Sequence, residues 1–369
     1  MRTLGRLFPT ALFAALALLA ACGDDEPAGP PDGPTGPTCT SVAWDSLLTV
    51  DAAQLSTYGL FVSPTDPTTG AADTGLPYEL TTALFTDYAS KYRFVFVPCD
   101  SVAVYDDREA FDFPVGTVLA KTFAMPADTA VRGPGNETII ETRLLIRRAA
   151  GWVALPYVWR DDMSDADLVT TGAGRPISFV HDGTGRNFTY RVPTQAECAG
   201  CHTLGGEMSP IGPKARSLNR DLDYGEGPLN QLTAWTGRGL LVGAPADPAA
   251  APATPSFGDD LDLATLDTET ERDRYAKAYL DINCAHCHRP DGAYGDRTPY
   301  YEYWRPFDPD TATDDHGLCR VIQPGNPNAS GLHVMMNIGL MPKIGTELKH
   351  TEGLALIDHW IAGMSHTCP

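Results

Sequence analysis

Cys198-Ala199-Gly200-Cys201-His202 and Cys284-Ala285-His286-Cys287-His288 repeat one five-residue pattern: two cysteines separated by a pair of residues, with a histidine directly after the second. This is the CxxCH spacing of c-type haem attachment. On a short helix, residues three and four apart share a face, so both thiols and the imidazole point one way. The sulfurs then form thioethers to the two vinyl groups of one porphyrin while the histidine reaches the iron. With nine Cys and nine His in 369 residues, chance supplies about 0.005 copies of the pattern; this chain has two. The competing reading is a zinc site or two disulfides. Two CxxC pairs offer four thiolates, a set zinc accepts, but such a site has no use for a histidine after each pair. The sequence therefore predicts two covalently attached haem c groups on Cys198, Cys201, Cys284 and Cys287, with His202 and His288 on the metals.

The bulk composition bounds the rest. Hydrophobic residues make up 43% and charged residues 20%, a globular balance, and the length allows two or three domains. The net charge is −20, from 47 acids and 27 bases. Nucleic acid is excluded as a partner, since phosphate binding needs a basic patch. An acidic surface suits salt-sensitive docking to a basic redox partner, and it suits solubility equally well. Four of the nine cysteines lie in the motifs and Cys22 in an export signal, leaving Cys39, Cys99, Cys319 and Cys368. Two precede the first motif and two follow the second, which suggests the disulfides Cys39–Cys99 and Cys319–Cys368 in an oxidising compartment.

Residues 1–21 carry Arg2 and Arg6, then an apolar run from residue 11 to 21. They read as a secretory signal, too short for a spanning helix. The end, Leu19-Ala20-Ala21-Cys22-Gly23, resembles a bacterial lipoprotein box with Cys22 as the lipidated residue; a plain periplasmic signal peptide is the alternative. Several acyl chains on Cys22 would hold the protein on a membrane. Gly23 after the cysteine favours the outer membrane by the same resemblance. The expected location is the cell envelope, facing the periplasm. Residues 22–40 are acidic and rich in Pro and Gly, a disordered tether.

Residues 41–193 read as strands. Residues 91–97 alternate, residues 116–123 and 138–146 are rich in β-branched side chains, and residues 152–159 and 186–192 continue the series. The expectation is an antiparallel β-sandwich-like domain. Asp161, Asp162, Asp165 and Asp167 are a weak calcium candidate against the more ordinary reading of a solvated loop. Residues 194–265 form the first haem segment, with a helix expected over 229–241 and a low-complexity joint at 243–255.

Residues 266–369 are expected to be mainly α. A charged helix over 269–282 leads into the second motif, and an apolar stripe of Leu354, Ile357, Ile361 and Met364 marks a helix over 352–364. Between them lies Leu340-Met341-Pro342-Lys343. A thioether is a soft ligand that suits haem iron and raises its potential, so Met341 is the candidate sixth ligand opposite His288, with Met335 and Met336 as rivals. For the first haem, Met208 is too near His202 to cross the ring. His181 or a histidine from another domain remains open, as does a five-coordinate iron.

Several stretches carry a family resemblance: Phe85-Thr86-Asp87-Tyr88, Lys91-Tyr92-Arg93, Phe113-Pro114-Val115-Gly116-Thr117, Lys121-Thr122-Phe123, Glu141-Thr142-Arg143-Leu144-Leu145, Gly151-Trp152, Asn230-Gln231-Leu232 and Pro210-Ile211-Gly212-Pro213-Lys214-Ala215-Arg216. With residues 279–288 they resemble an exported bacterial family of dihaem-type cytochrome c lipoproteins, over residues 45 to the end. The C-terminal part also resembles class I cytochromes c, in particular the haem domains fused to quinoprotein sugar dehydrogenases. There the motif-bearing and C-terminal helices cross, and a Gly-Pro turn such as Gly212-Pro213 orients the haem histidine. The resemblance carries over Cys284, Cys287, His288 and Met341; no axial partner follows the first motif. It implies a multidomain chain, a β-sandwich-like domain followed by a mainly α, cytochrome c-like haem-binding region. Its expected role is a membrane-anchored periplasmic dihaem electron carrier between a periplasmic dehydrogenase and a downstream acceptor, with redox partners such as a quinoprotein dehydrogenase or another cytochrome. The alternative is a peroxidase-like dihaem enzyme with an open first haem. A weaker third reading makes the β domain a carbohydrate-binding module.

Overall fold

Alternating apolar side chains along residues 76–168 build one antiparallel sheet of six strands that run in sequence order. They are β1 (Leu76–Pro77), β2 (Ser90–Phe96), β3 (Val118–Pro126), β4 (Glu137–Arg148), β5 (Gly151–Trp159) and β6 (Ala166–Leu168). The computed structural model describes residues 39–73, 75–295, 299–305, 318–343, 345–365 and 368. The strands expected over 91–97, 116–123, 138–146 and 152–159 are therefore present as β2 to β5, with a bulge at Phe123/Ala124 in β3.

Both faces of this sheet are apolar, so both need a cover. On one face Phe94, Phe96, Leu144, Ile146, Leu155 and Tyr157 pack against α1 (Trp44–Thr49) and the turn that follows it, through Leu47, Leu55 and Tyr58. On the other, Val95 and Leu119 pack against Ile211, Leu218, Leu232, Trp235 and Ile282. That second cover comes from the segment around and after the first CxxCH. A hairpin of β7 (Ala173–His181) and β8 (Thr184–Val192) continues the layer, with Phe179 and Tyr190 against Phe85, Tyr88 and Phe123.

Two expectations are corrected here. The β part is one six-stranded sheet with separate two-stranded ribbons rather than a β-sandwich, and the chain from residue 194 is not a mainly α, cytochrome c-like region. Its helices are α2 (Gln195–His202), α3 (Ala215–Leu218), α4 (Gln231–Gly237), α5 (Glu269–Asn283), α6 (Gly331–Asn337) and α7 (Thr351–Ala362). Only α5 and α7 exceed ten residues, and ribbons pair Thr203–Leu204 with Glu207–Met208 and Asp221–Asp223 with Pro228–Asn230. The reason is local chemistry. Prolines and glycines at Gly205, Gly206, Pro210, Gly212, Pro213, Gly225, Gly227 and Pro228 interrupt every run before a long helix can form. The helix expected over 229–241 accordingly shrinks to α4, and the joint at 243–255 is pinned: Asn219 Nδ2 donates to the carbonyls of Pro248 and Ala251.

Helices α5 and α7 pack on each other through Tyr279, Leu280, Leu354, Ile357, Trp360 and Ile361. Residues 37–369 form one compact unit. Two disulfides tie it, Cys39 to Cys99 and Cys319 to Cys368. The signal at 1–21, Cys22 and most of the tether at 22–40 lie outside the described residues. Among the described residues no helix is long and apolar enough to cross a membrane.

Candidate functional site

The first motif occupies the last turn of α2. A capping box starts this helix: the Glu197 amide donates to Thr194 Oγ1 at 3.1 Å and the Thr194 amide to Glu197 Oε2 at 2.9 Å. Such a cap satisfies two otherwise orphaned amides in a helix too short to hold itself. Cys198 is buried and Cys201 half-buried. His202 donates from Nδ1 to the Ser209 carbonyl at 2.9 Å. Burial first, then the positive charge of Lys121, push this imidazole down to about 3, so it is neutral with Nε2 carrying the lone pair. An outer-shell hydrogen bond of this kind fixes tautomer and ring orientation in a metal-ligating histidine. The orienting carbonyl is that of Ser209, just before Pro210, and not at the Gly212-Pro213 turn.

A cavity with about 1150 Å³ of empty space, open to solvent, adjoins this motif. Cys198, Cys201, His202 and His286 line it, with apolar walls from Leu80, Leu119, Leu145, Ile211 and Ile282 and a charged floor of Arg93, Lys121 and Arg143. Burial, then the neighbouring Arg143 and Arg93, push Lys121 down to about 7.

The second motif lies in the turn that ends α5, with Cys284 as the helix cap. Buried polar contacts hold it on both sides. Asn283 Oδ1 accepts the Phe85 amide at 2.7 Å. Asp281 takes Arg216 in a two-point ion pair at 2.9 and 2.8 Å, each side chain only 2% exposed. Arg289, directly after His288, forms a two-point pair with Glu109 at 2.9 and 2.7 Å. The His288 ring stacks near Tyr294, centroids 6.1 Å apart, and meets Tyr301 edge-on at 5.7 Å. The turn also needs Gly292: a β-carbon there would sit 2.6 Å from the Cys287 carbonyl oxygen.

These anchors set the two motifs side by side. Just past each histidine, Leu204 bridges to Gly292 and the Gly205 amide donates to the Asp291 carbonyl at 2.8 Å. As a result Cys201, Cys287 and His286 bring their ligand atoms within 4.8 Å of one another. The Cys201 and Cys287 thiols share a hydrogen bond, which favours the thiolate on Cys201 and the thiol on Cys287. Burial pushes Cys284 up to about 12. His286, a spacer inside the second motif, is a site residue that the CxxCH reading passes over; its imidazole between two cysteines is the signal.

Met341 is half-buried, and its amide donates to the Met335 carbonyl at 3.2 Å. Two residues on, Lys343 Nζ lies over the Tyr294 ring, 5.9 Å from its centroid, and so beside His288. Pro342 and Gly345 line the cavity of the first motif. The loop therefore borders both motifs, whereas spacing assigns it to His288 alone. Of the rivals, Met336 is buried in the α5/α7 core and Met335 is exposed. Met208 pairs with Thr203 next to His202. His181 belongs to another cluster: it contacts Thr129 Oγ1 and Glu352 Oε1, both at 2.9 Å, with Tyr88, Asp259 and His350 close by. The four aspartates are each engaged by protein: Asp165 accepts Ser56 Oγ, Asp167 pairs with Arg160, Asp161 with Arg175, and Asp162 accepts the Ser164 amide. Comparison with family models, with curated proteins and with solved structures returns no match.

Proposed function

We propose that this protein is a dihaem electron-transfer protein of the bacterial cell envelope, passing electrons from a periplasmic dehydrogenase or another cytochrome to a downstream acceptor. One observation carries the reading. Two CxxCH motifs 86 positions apart in sequence stand together, with Cys201 and Cys287 Sγ within 4.8 Å. Adjacent attachment points suit electron passage within one chain.

The residues fit the group. Cys198, Cys201, Cys284 and Cys287 stay outside the disulfides while the other four described cysteines pair. Cys198 and Cys201 would hold one porphyrin and Cys284 and Cys287 the other, with His202 and His288 as iron ligands. Haem iron, when bound, supplies the one-electron chemistry. The chain's own part is orientation, through the Ser209 carbonyl on His202, and shielding, through Tyr294 and Tyr301 beside His288. Met341 is the proposed sixth ligand. Because its loop borders both motifs, the variant Met341→Ala decides which iron it serves. Loss of an iron-to-sulfur absorption band together with a fall in one of two potentials is the expected result; unchanged spectra and potentials would move the ligand elsewhere.

The cluster of Cys201, His286 and Cys287 favours a second reading, a zinc site of mixed sulfur and nitrogen donors. A spectroscopic redox titration of the matured protein separates the two. Two one-electron transitions at visible haem bands support the carrier. A colourless protein that releases zinc on acidification supports the metal site. Carbon monoxide binding to one reduced haem would favour the peroxidase-like alternative.

A further inference from the structure

Arg93 in β2, Lys121 in β3 and Arg143 in β4 stand directly opposite one another across three adjacent strands. All three line the cavity beside Cys198, Cys201 and His202. Facing residues on antiparallel strands have β-carbons about 5 Å apart, and like charges placed there destabilise the sheet. One of the three is compensated. Glu141, itself fully buried, takes Arg143 in a two-point ion pair and also accepts the Tyr190 hydroxyl at 2.7 Å. Arg93, only 8% exposed, and Lys121 form no salt bridge among the described residues. Lys91, two residues before Arg93, adds a fourth cation within reach of Phe123. Burying cations without an anion is strongly unfavourable, so the row makes sense only with negative charge in front of it.

The rest of the cavity narrows the choice. Its walls are aliphatic and its floor is cationic, which suits an apolar body ending in acidic groups. We infer that Arg93 and Lys121 bind carboxylates of a ligand in this cavity, either the propionates of the porphyrin attached at Cys198 and Cys201 or a small free carboxylate. The first source rests on the haem reading; the cation row itself rests on strand register.

The test uses the full matured protein, with haem content fixed first by intact mass, and the variants R93Q, K121Q and the charge-keeping K121R. For propionates, the potential of the first haem carries a redox-linked ionisation. K121Q weakens the ionised form roughly tenfold, K121R restores it, and millimolar succinate adds no binding heat. For a free carboxylate, succinate binds the native protein by calorimetry, R93Q and K121Q each weaken it at least about tenfold, and the ionisation stays put. Either result supports the assignment. It is overturned if neither ionisation nor succinate binding responds to R93Q or K121Q, and equally if K121Q melts above the native protein, as relief of bare repulsion would make it do. Should the protein carry no haem, the mass alone defeats the haem reading, while succinate binding that R93Q abolishes still supports the row and its absence still overturns it.

Discussion

The same five-residue pattern sits in two different local structures. The first CxxCH is the end of a capped helix, with its histidine oriented by a carbonyl seven residues downstream and a cavity beside it. The second is a turn after a long helix, held by Asp281, Asn283 and Arg289 to distant parts of the chain and flanked by two tyrosines. The first motif is thus organised locally and the second by tertiary contacts. The lesson is that a short attachment motif specifies donors and leaves their setting to the fold.

The largest way to break this contrast is Arg216→Ala. It leaves Asp281 buried with its charge uncompensated, one turn before Cys284, and removing one partner of a buried pair costs about 3–5 kcal/mol. Chemical denaturation should show that loss; a change below about 1 kcal/mol would mean the second motif does not depend on its remote anchors.

Asp87 tests the strap that follows the Met341 loop. Its Oδ1 accepts the amides of Glu347 and Leu348, both at 2.7 Å, and burial pushes the carboxyl up to about 6. A raised carboxyl favours the protonated folded state, so its contribution is full below pH about 4 and is lost as pH rises through 6. Asp87→Asn keeps an accepting oxygen and does not ionise. Relative to the native chain it should gain of order 2 kcal/mol between pH 4 and pH 7, measured as a difference in melting temperature; a constant difference across that range would contradict the assignment.

Gly292→Ala addresses the second motif alone. Its new β-carbon would press on the Cys287 carbonyl, and such overpacking costs about 1–3 kcal/mol. Mass analysis should find attachment at Cys284 and Cys287 reduced while Cys198 and Cys201 remain modified. Equal loss at both motifs would argue that they are built as one unit.

The smallest effect belongs to the first motif. Thr194→Ala removes the helix cap and costs about 1 kcal/mol, read in thermal melts. A loss several times larger would show that α2 carries more of the fold than its eight residues suggest.

Much of this was legible in the chain itself. The CxxCH donors, the strands from residue 90 to 159 and the helices before and after the second motif follow from spacing and periodicity. The fold class was not, because alternation in β2 and β3 reads as one apolar and one solvent face, and nothing local says that Arg93 and Lys121 face inward under a second cover. The pairing of the motifs was hidden for a related reason: it rests on contacts such as Arg216 to Asp281 and Leu204 to Gly292, which join segments far apart in sequence. Asp281 and Asn283, polar residues beside the apolar stripe of α5, were the available hint. Met341 shows the converse, since its distance along the chain from His288 says nothing about the first motif's cavity next to its loop.

The most direct measurement is intact mass of the exported, matured protein, combined with the alkaline pyridine spectrum and thiol counting. Two haem additions per chain, with Cys198, Cys201, Cys284 and Cys287 all blocked, is the result expected. A colourless chain in which those four cysteines react with a thiol reagent, or release zinc as they do so, would contradict the account.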